Sequence, residues 1–175
     1  MLILWVTILM KMAEHDWTKF TITADFNTDL RSVYKAWTTP AGLESWFLRQ
    51  ADFYTITGRL REKDEAILKE DTYEWQWHGF DDYVQKGVVL EVNEIDFLKF
   101  TFTDDTIVSI NLRSAHGLTI LELVQENIKE EPDPGQNLFV QCQTSWTFYL
   151  ANLKSILEGG IDLRNKRTDV HSNFK

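Results

Sequence analysis

The residues of this chain that could do chemistry are few and scattered. In "LTILELVQ", alternation puts Leu118, Ile120, Glu122 and Val124 on one strand face and Thr119, Leu121, Leu123 and Gln125 on the other. If the first face looks inward, Glu122 enters the interior, where desolvation would raise its pKa or a hydrogen-bonding partner would meet it. If the second does, Glu122 is an ordinary surface acid. Alternation alone leaves both open. His78, after Trp77 at a strand end, could carry a proton, but the surface is its expected place. Cys142 is the one cysteine, so no disulfide can form within the chain. In a predicted helix it reads as a buried thiol rather than a nucleophile. GxSxG, GxGxxG and P-loop patterns are absent, and no CxxC or HxxxH spacing offers metal ligands. No catalytic residue, metal or cofactor is assigned, and the chain reads as a binding protein more readily than an enzyme.

The aromatic residues carry the stronger signal. "TYEWQWHGF" places Tyr73, Trp75 and Trp77 at every second position, on one face of a strand. Phe100 and Phe102 repeat the pattern in a later strand, and Trp146, Tyr149 and Leu153 share a helical stripe. With Glu122, these are the candidate ligand-binding residues. Such side chains either fill a dense core or line a pocket in which their polar tips serve as handles. Both readings remain open from the residues alone.

Composition narrows the partners. Aromatic residues make up 13% of the 175 and the net charge is -9, which repels nucleic-acid phosphates and anionic lipid surfaces. The basic cluster Arg164, Lys166 and Arg167 reads as a solvated tail. "MLILWVTILMKM" is too short to span a bilayer and lacks the flanks of a secretory signal. Residues 1–11 are expected to derive from an upstream start codon, an interfacial anchor being the rival reading. With a single cysteine, a reducing cytoplasm is the expected location.

Periodicity then supplies the elements. "KFTITADF" alternates as a strand, with Phe20, Ile22, Ala24 and Phe26 on one face. "NTDLRSVYKAW" follows as a helix with Thr28 as N-cap, and Pro40 opens a second short helix carrying Leu43, Trp46 and Phe47. "ADFYTITGRL" is a strand, and the charged run "REKDEAILKED" is expected as a solvated loop. After the aromatic strand come strands with Val88, Leu90 and Val92, with Leu98, Phe100 and Phe102, and with Val108, Ile110 and Leu112 on shared faces. "LTILELVQENI" follows. Beyond the proline-containing "KEEPDPGQN", a long helix carries Val140, Trp146, Tyr149, Leu150, Leu153, Ile156 and Leu157, closed by Gly159 and Gly160. One strand, two short helices, about six strands and a long helix make an α+β domain with a curved antiparallel sheet around that helix.

This order, together with "VYKAWTTPAGLESWF" at 33–47, "GVVLEVNEIDFLKFTF" at 87–102 and "SWTFYLANLKSILEGGIDLR" at 145–164, resembles the SRPBCC or START-like superfamily. Within it the chain is similar to the branch named for the C-terminal domain of the activator of heat-shock protein 90 ATPase (homologue 1-like). The resemblance covers roughly residues 20 to 165. It implies a helix-grip fold, with residues 1–15 as an extension, 16–165 as the domain and 166–175 as a tail. It departs from the family where "GRLREKDEAILKED" puts charge in place of a glycine-rich turn. The expected function is binding of a small hydrophobic or amphipathic ligand between sheet and long helix. The alternative is a protein-interaction role as a chaperone co-factor, with a heat-shock ATPase as partner. Neither nucleic acid nor membrane is expected as a partner.

Overall fold

The computed structural model describes residues 15–80, 82–131 and 137–167. The N-terminal apolar run 1–12, the centre of the proline-containing loop and the end of the basic tail lie outside them. Seven antiparallel strands form one sheet in the order β1-β7-β6-β5-β4-β3-β2. They are β1 (Phe20–Phe26), β2 (Gln50–Tyr54), β3 (Thr72–Gln76), β4 (Gln85–Val92), β5 (Phe97–Thr101), β6 (Ile107–Ala115) and β7 (Leu118–Glu126). Helices α1 (Leu30–Thr38) and α2 (Pro40–Trp46) fill the connection from β1 to β2, and α3 (Leu138–Leu157) closes the fold. The α+β helix-grip architecture expected from the sequence is the one observed.

Side-chain chemistry sets the helix ends. Asp29, not Thr28, is the N-cap of α1: its carboxylate accepts the Ser32 N–H at 2.9 Å. Thr39 ends α1 and caps α2, its Oγ1 accepting the Gly42 N–H at 3.0 Å while Pro40 fills the first helical turn. At the end of α3, Gly159 takes φ +83°, the left-handed region that favours glycine. The Gly160 N–H donates to Ser155 O at 2.7 Å and the Gly159 N–H to Ile156 O at 3.2 Å, the paired bonds of a Schellman closure.

Three further expectations need correction. In β4 the core residue is Val89, while Val88 and Leu90 are half-buried. Pairing with β5 shifts register between Val89 and Glu91, so a bulge lets Val89 and Val92 both turn inward despite their odd spacing. The charged run after β2 is a loop but is not merely solvated. Arg61 and Asp71 are buried and paired through two guanidinium nitrogens, and Ile67 is buried with its N–H on Thr38 O at 2.9 Å. This strap holds the α1–α2 junction. Arg59 forks onto Glu65 at 2.7 and 2.9 Å, and those hydrogen bonds lead the causes that hold the Glu65 carboxyl down to about 2. Finally, Arg164 is no solvated tail residue: it is buried against the end of α2.

The outer edge of β2 is blocked. The Ala51 N–H donates to Glu44 Oε1 at 2.9 Å and Phe53 O accepts from the Arg61 N–H at 2.8 Å, so neither is left to template another strand. Within the sheet, Gly87 pairs with Tyr73, and the Tyr73 ring lies over the space a Cβ would need. Gly87→Ala is therefore expected to displace Tyr73 from its stack on Trp75 (ring centroids 3.9 Å apart) and to destabilise by about 1–3 kcal/mol. Urea unfolding measures this; an unchanged midpoint would refute the overlap.

Candidate functional site

The concave face of the sheet and α3 enclose an aromatic core with a cavity of about 300 Å³ at one end. One wall is the N-terminal half of α3: Leu138, Gln141, Cys142, Ser145, Trp146 and Tyr149 recur at helical spacing and face it together. Asn137 starts this wall by accepting the Val140 N–H at 3.1 Å. Opposite stand Phe47 from the end of α2, Trp77 just beyond β3, and Phe102 just beyond β5. Phe80, Tyr83 and Thr103 form the rim.

Buried polar bonds hold these walls in place. Trp146 Nε1–H donates to Gln125 Oε1 at 2.9 Å, and Gln125 Nε2–H donates to Thr106 Oγ1 at 2.9 Å. Thr106 Oγ1–H closes the chain on Thr103 O at 2.8 Å. Gln125 and Thr106 are both fully buried, so these bonds are costly to leave unmade and fix the Trp146 ring against β7. At the rim, Gln85 Oε1 accepts from Tyr83 Oη–H at 2.6 Å and from Thr103 Oγ1–H at 3.1 Å, joining the β3–β4 loop to the turn after β5.

Among the described residues, the cavity lining carries no charged side chain. Burial pushes the Cys142 thiol up to about 11, with a Gln125 hydrogen bond opposing part of the shift. A thiol so placed is neutral at pH 7 and a poor nucleophile. Burial likewise raises Tyr149 to about 12, against a weaker opposing effect of the Arg164 charge. The described lining can therefore stack against a small molecule and offer it neutral donors.

Of the sequence candidates, Trp77, Phe102, Trp146 and Tyr149 line the cavity. Tyr73, Trp75, Phe100 and Leu153 are packed core, each at most 2% exposed. Trp75 backs the cavity through Phe47 and Phe102, at ring-centroid distances of 5.7 and 6.3 Å. Glu122 is exposed on the outer face, paired across the sheet with Thr23 and Asn111. The inward set of β7 is Thr119, Leu121, Leu123 and Gln125. Its polar ends are satisfied, Thr119 Oγ1–H donating to Thr28 O at 2.8 Å, so burying them carries no unmade bond. His78 is half-buried away from the cavity lining; burial and the charges of Arg164, Lys166 and Arg49 lower its pKa.

Sequence reasoning missed the rim residues Phe80, Tyr83 and Thr103, which sit in a loop and a turn and have no periodicity to reveal them. The wall residues Leu138, Gln141, Cys142 and Ser145 did have a signal, since they continue the Trp146–Tyr149 stripe toward the N-terminus of α3. No group of residues that could hold a metal ion occurs among the described residues, and no helix there is long and apolar enough to cross a membrane.

The model of the "Activator of Hsp90 ATPase homolog 1-like protein" family matches residues 27–158. The chain belongs to this family. The match runs from just after β1 to the C-cap of α3 and so takes in every element that lines the cavity. Solved structures agree on the fold. A Staphylococcus saprophyticus protein is similar with a TM-score of 0.65 at 14% identity, over 83% of this chain and 96% of that one. The Aha1 dimer of Colwellia psychrerythraea gives 0.63 at 17%, over 81% and 97%. An HSP90 activator from Plasmodium falciparum gives 0.57 at 19%, over 81% and 96%. No match was found among curated proteins.

Proposed function

We propose that this family member binds a small, predominantly apolar molecule in the cavity between α3 and the ends of β3 and β5. The observation that carries the reading is the cavity itself. Its volume of about 300 Å³ falls at the lower end of the ~300–1,000 Å³ range of small-molecule sites, and its lining is mainly aromatic with a few neutral polar groups. Selectivity comes from Trp77, Phe102, Trp146 and Tyr149 by shape and stacking. The chemistry is binding rather than turnover.

Thermal-shift screening against lipid, aromatic and polyketide panels tests the reading. A ligand at 100 times its Kd adds about 2.7 kcal/mol to stability and should raise the melting temperature by several degrees. The same ligand should slow thiol labelling of Cys142, which lines the cavity. No stabilising ligand and no protection across the panels would sink the reading.

Family membership supports a second reading, action on a heat-shock protein 90 ATPase. An unchanged ATPase rate at saturating amounts of this protein would remove it.

A further inference from the structure

Most polar groups around the cavity are already engaged. Tyr83 and Thr103 donate to Gln85, the Trp146 indole to Gln125, and Gln125 also bonds the Cys142 thiol. Three lining donors are left over: the hydroxyl of Ser145, which is exposed, and two on enclosed residues. Trp77 is 9% exposed and Tyr149 6% exposed, yet neither the Trp77 Nε1–H nor the Tyr149 Oη–H bonds any described residue. The sealed and unpartnered side-chain atoms among the described residues are the indole nitrogens of Trp37 and Trp75. The Trp77 and Tyr149 groups are not among these, so they keep accessible surface on residues that are otherwise enclosed.

Both rings are clamped edge-on against the same neighbour. Trp77 meets Phe47 at 5.5 Å and 83°, and Tyr149 meets it at 4.8 Å and 82°. Rings held this way have little freedom to swing their polar tips elsewhere, so each donor is set in place before any ligand arrives. Both are donors at neutral pH: an indole N–H does not accept, and the Tyr149 phenol, protonated at pH 7 even at its ordinary value of 10, is raised further by burial. A donor that has no protein partner and would be sealed from water by a bound ligand favours a ligand that supplies an acceptor over one that does not. An anionic acceptor would find no free counter-charge: no Lys or Arg lines the cavity among the described residues, and the guanidinium of Arg164, whose charge reaches Tyr149, is already taken by Asp162 and three backbone carbonyls. Edge-to-face walls admit a flat ring more readily than a branched aliphatic body.

We infer that Trp77 and Tyr149 set the specificity of this cavity, and that its ligands are flat, uncharged aromatic molecules bearing a carbonyl-type acceptor. This rests on the ligand-binding reading above and deepens it. The test uses two probes of matched shape, 2-acetonaphthone and 2-isopropenylnaphthalene, which differ in a C=O against a C=CH2. Each is titrated by protein NMR into the full chain, into Tyr149→Phe and into Trp77→Phe, with melting temperatures taken to show that both variants fold. The quantity read is the ratio of the two affinities, which cancels differences in hydrophobic transfer shared by the three proteins. That ratio should fall roughly three- to ten-fold toward the alkene in at least one variant, the expected loss of one hydrogen bond. Saturable binding of both probes with the same ratio in all three proteins would overturn the donor assignment and leave the cavity reading standing. Failure of both probes to bind the unmodified chain would overturn both.

Discussion

Arg164→Ala should remove about 3–5 kcal/mol of folding stability, lowering the melting temperature by roughly 10 °C. The guanidinium closes the end of α2, where the last carbonyls of a helix have no partner of their own. Arg164 Nη1–H donates to Glu44 O at 3.1 Å and Leu48 O at 2.9 Å, and Nη2–H to Ser45 O at 2.8 Å. The remaining donors grip Asp162, Nε–H at 2.9 Å and Nη2–H at 2.6 Å. With its side chain 3% exposed, truncation leaves three carbonyls and part of a carboxylate without replacement by water. Arg164→Lys should recover only part of the loss, since one ammonium cannot reach the two sides of a planar fork.

Acid unfolding offers an independent check on the same contact. Burial alone would raise the Asp162 pKa, but hydrogen bonds from Arg164 and Lys166 outweigh it, and the folded carboxyl lies below its usual value of 3.8. The folded state thus binds its proton less readily than the unfolded chain. The resulting stabilisation is present above about pH 4 and disappears as pH falls further. In Arg164→Ala that acid-sensitive component should shrink. A chemical-denaturation series from pH 7 to pH 3 measures it, and equal pH dependence in both proteins would refute the coupling.

Trp146→Ala should cost a comparable amount, about 3–5 kcal/mol, for a different reason. Its ring is 2% exposed and packs on Phe47, Phe102 and Trp37 at centroid distances of 5.0, 5.3 and 5.8 Å. Removing it opens a void in a dense interior and leaves the Gln125 carbonyl without its indole donor. Trp146→Phe keeps much of the ring and loses the hydrogen bond, so its smaller deficit separates packing from polar satisfaction. The Ala variant should also bind larger ligands than the unmodified chain, because its void adjoins the cavity that Trp146 lines. Urea unfolding and a ligand size series read the two effects. A stability loss below 1 kcal/mol would show that Trp146 does not carry the core in this way.

Much of the fold is legible without coordinates because its signals are local. The alternation of Phe20, Ile22, Ala24 and Phe26, and of Val108, Ile110 and Leu112, matches the inward sets of β1 and β6. Pro40 and the Gly159–Gly160 pair mark helix ends through backbone geometry that any tertiary context must respect. The aromatic stripe of β3 was equally plain, and Tyr73, Trp75 and Trp77 are all turned inward. Within the candidate site, those same local rules named Trp77, Phe102, Trp146 and Tyr149.

What only the tertiary structure decided depends on neighbours distant in sequence. The parity of β7 could not be read because both faces mix apolar and polar residues. Pairing with β1 and β6, and partners for Gln125 and Thr119, put Glu122 outside. The bulge in β4 reversed a parity that alternation alone assigned to Val88. Arg61 and Arg164 are charges that a one-dimensional reading sends to solvent, and burial became possible only where Asp71, Asp162 and free helix carbonyls met them. Whether the aromatics fill the space under α3 or leave a gap is a question of volume, which no periodicity encodes. Tyr73, Trp75 and Phe100 fill their part, and the gap lies beyond them, where Trp77 and Tyr149 keep donors without partners.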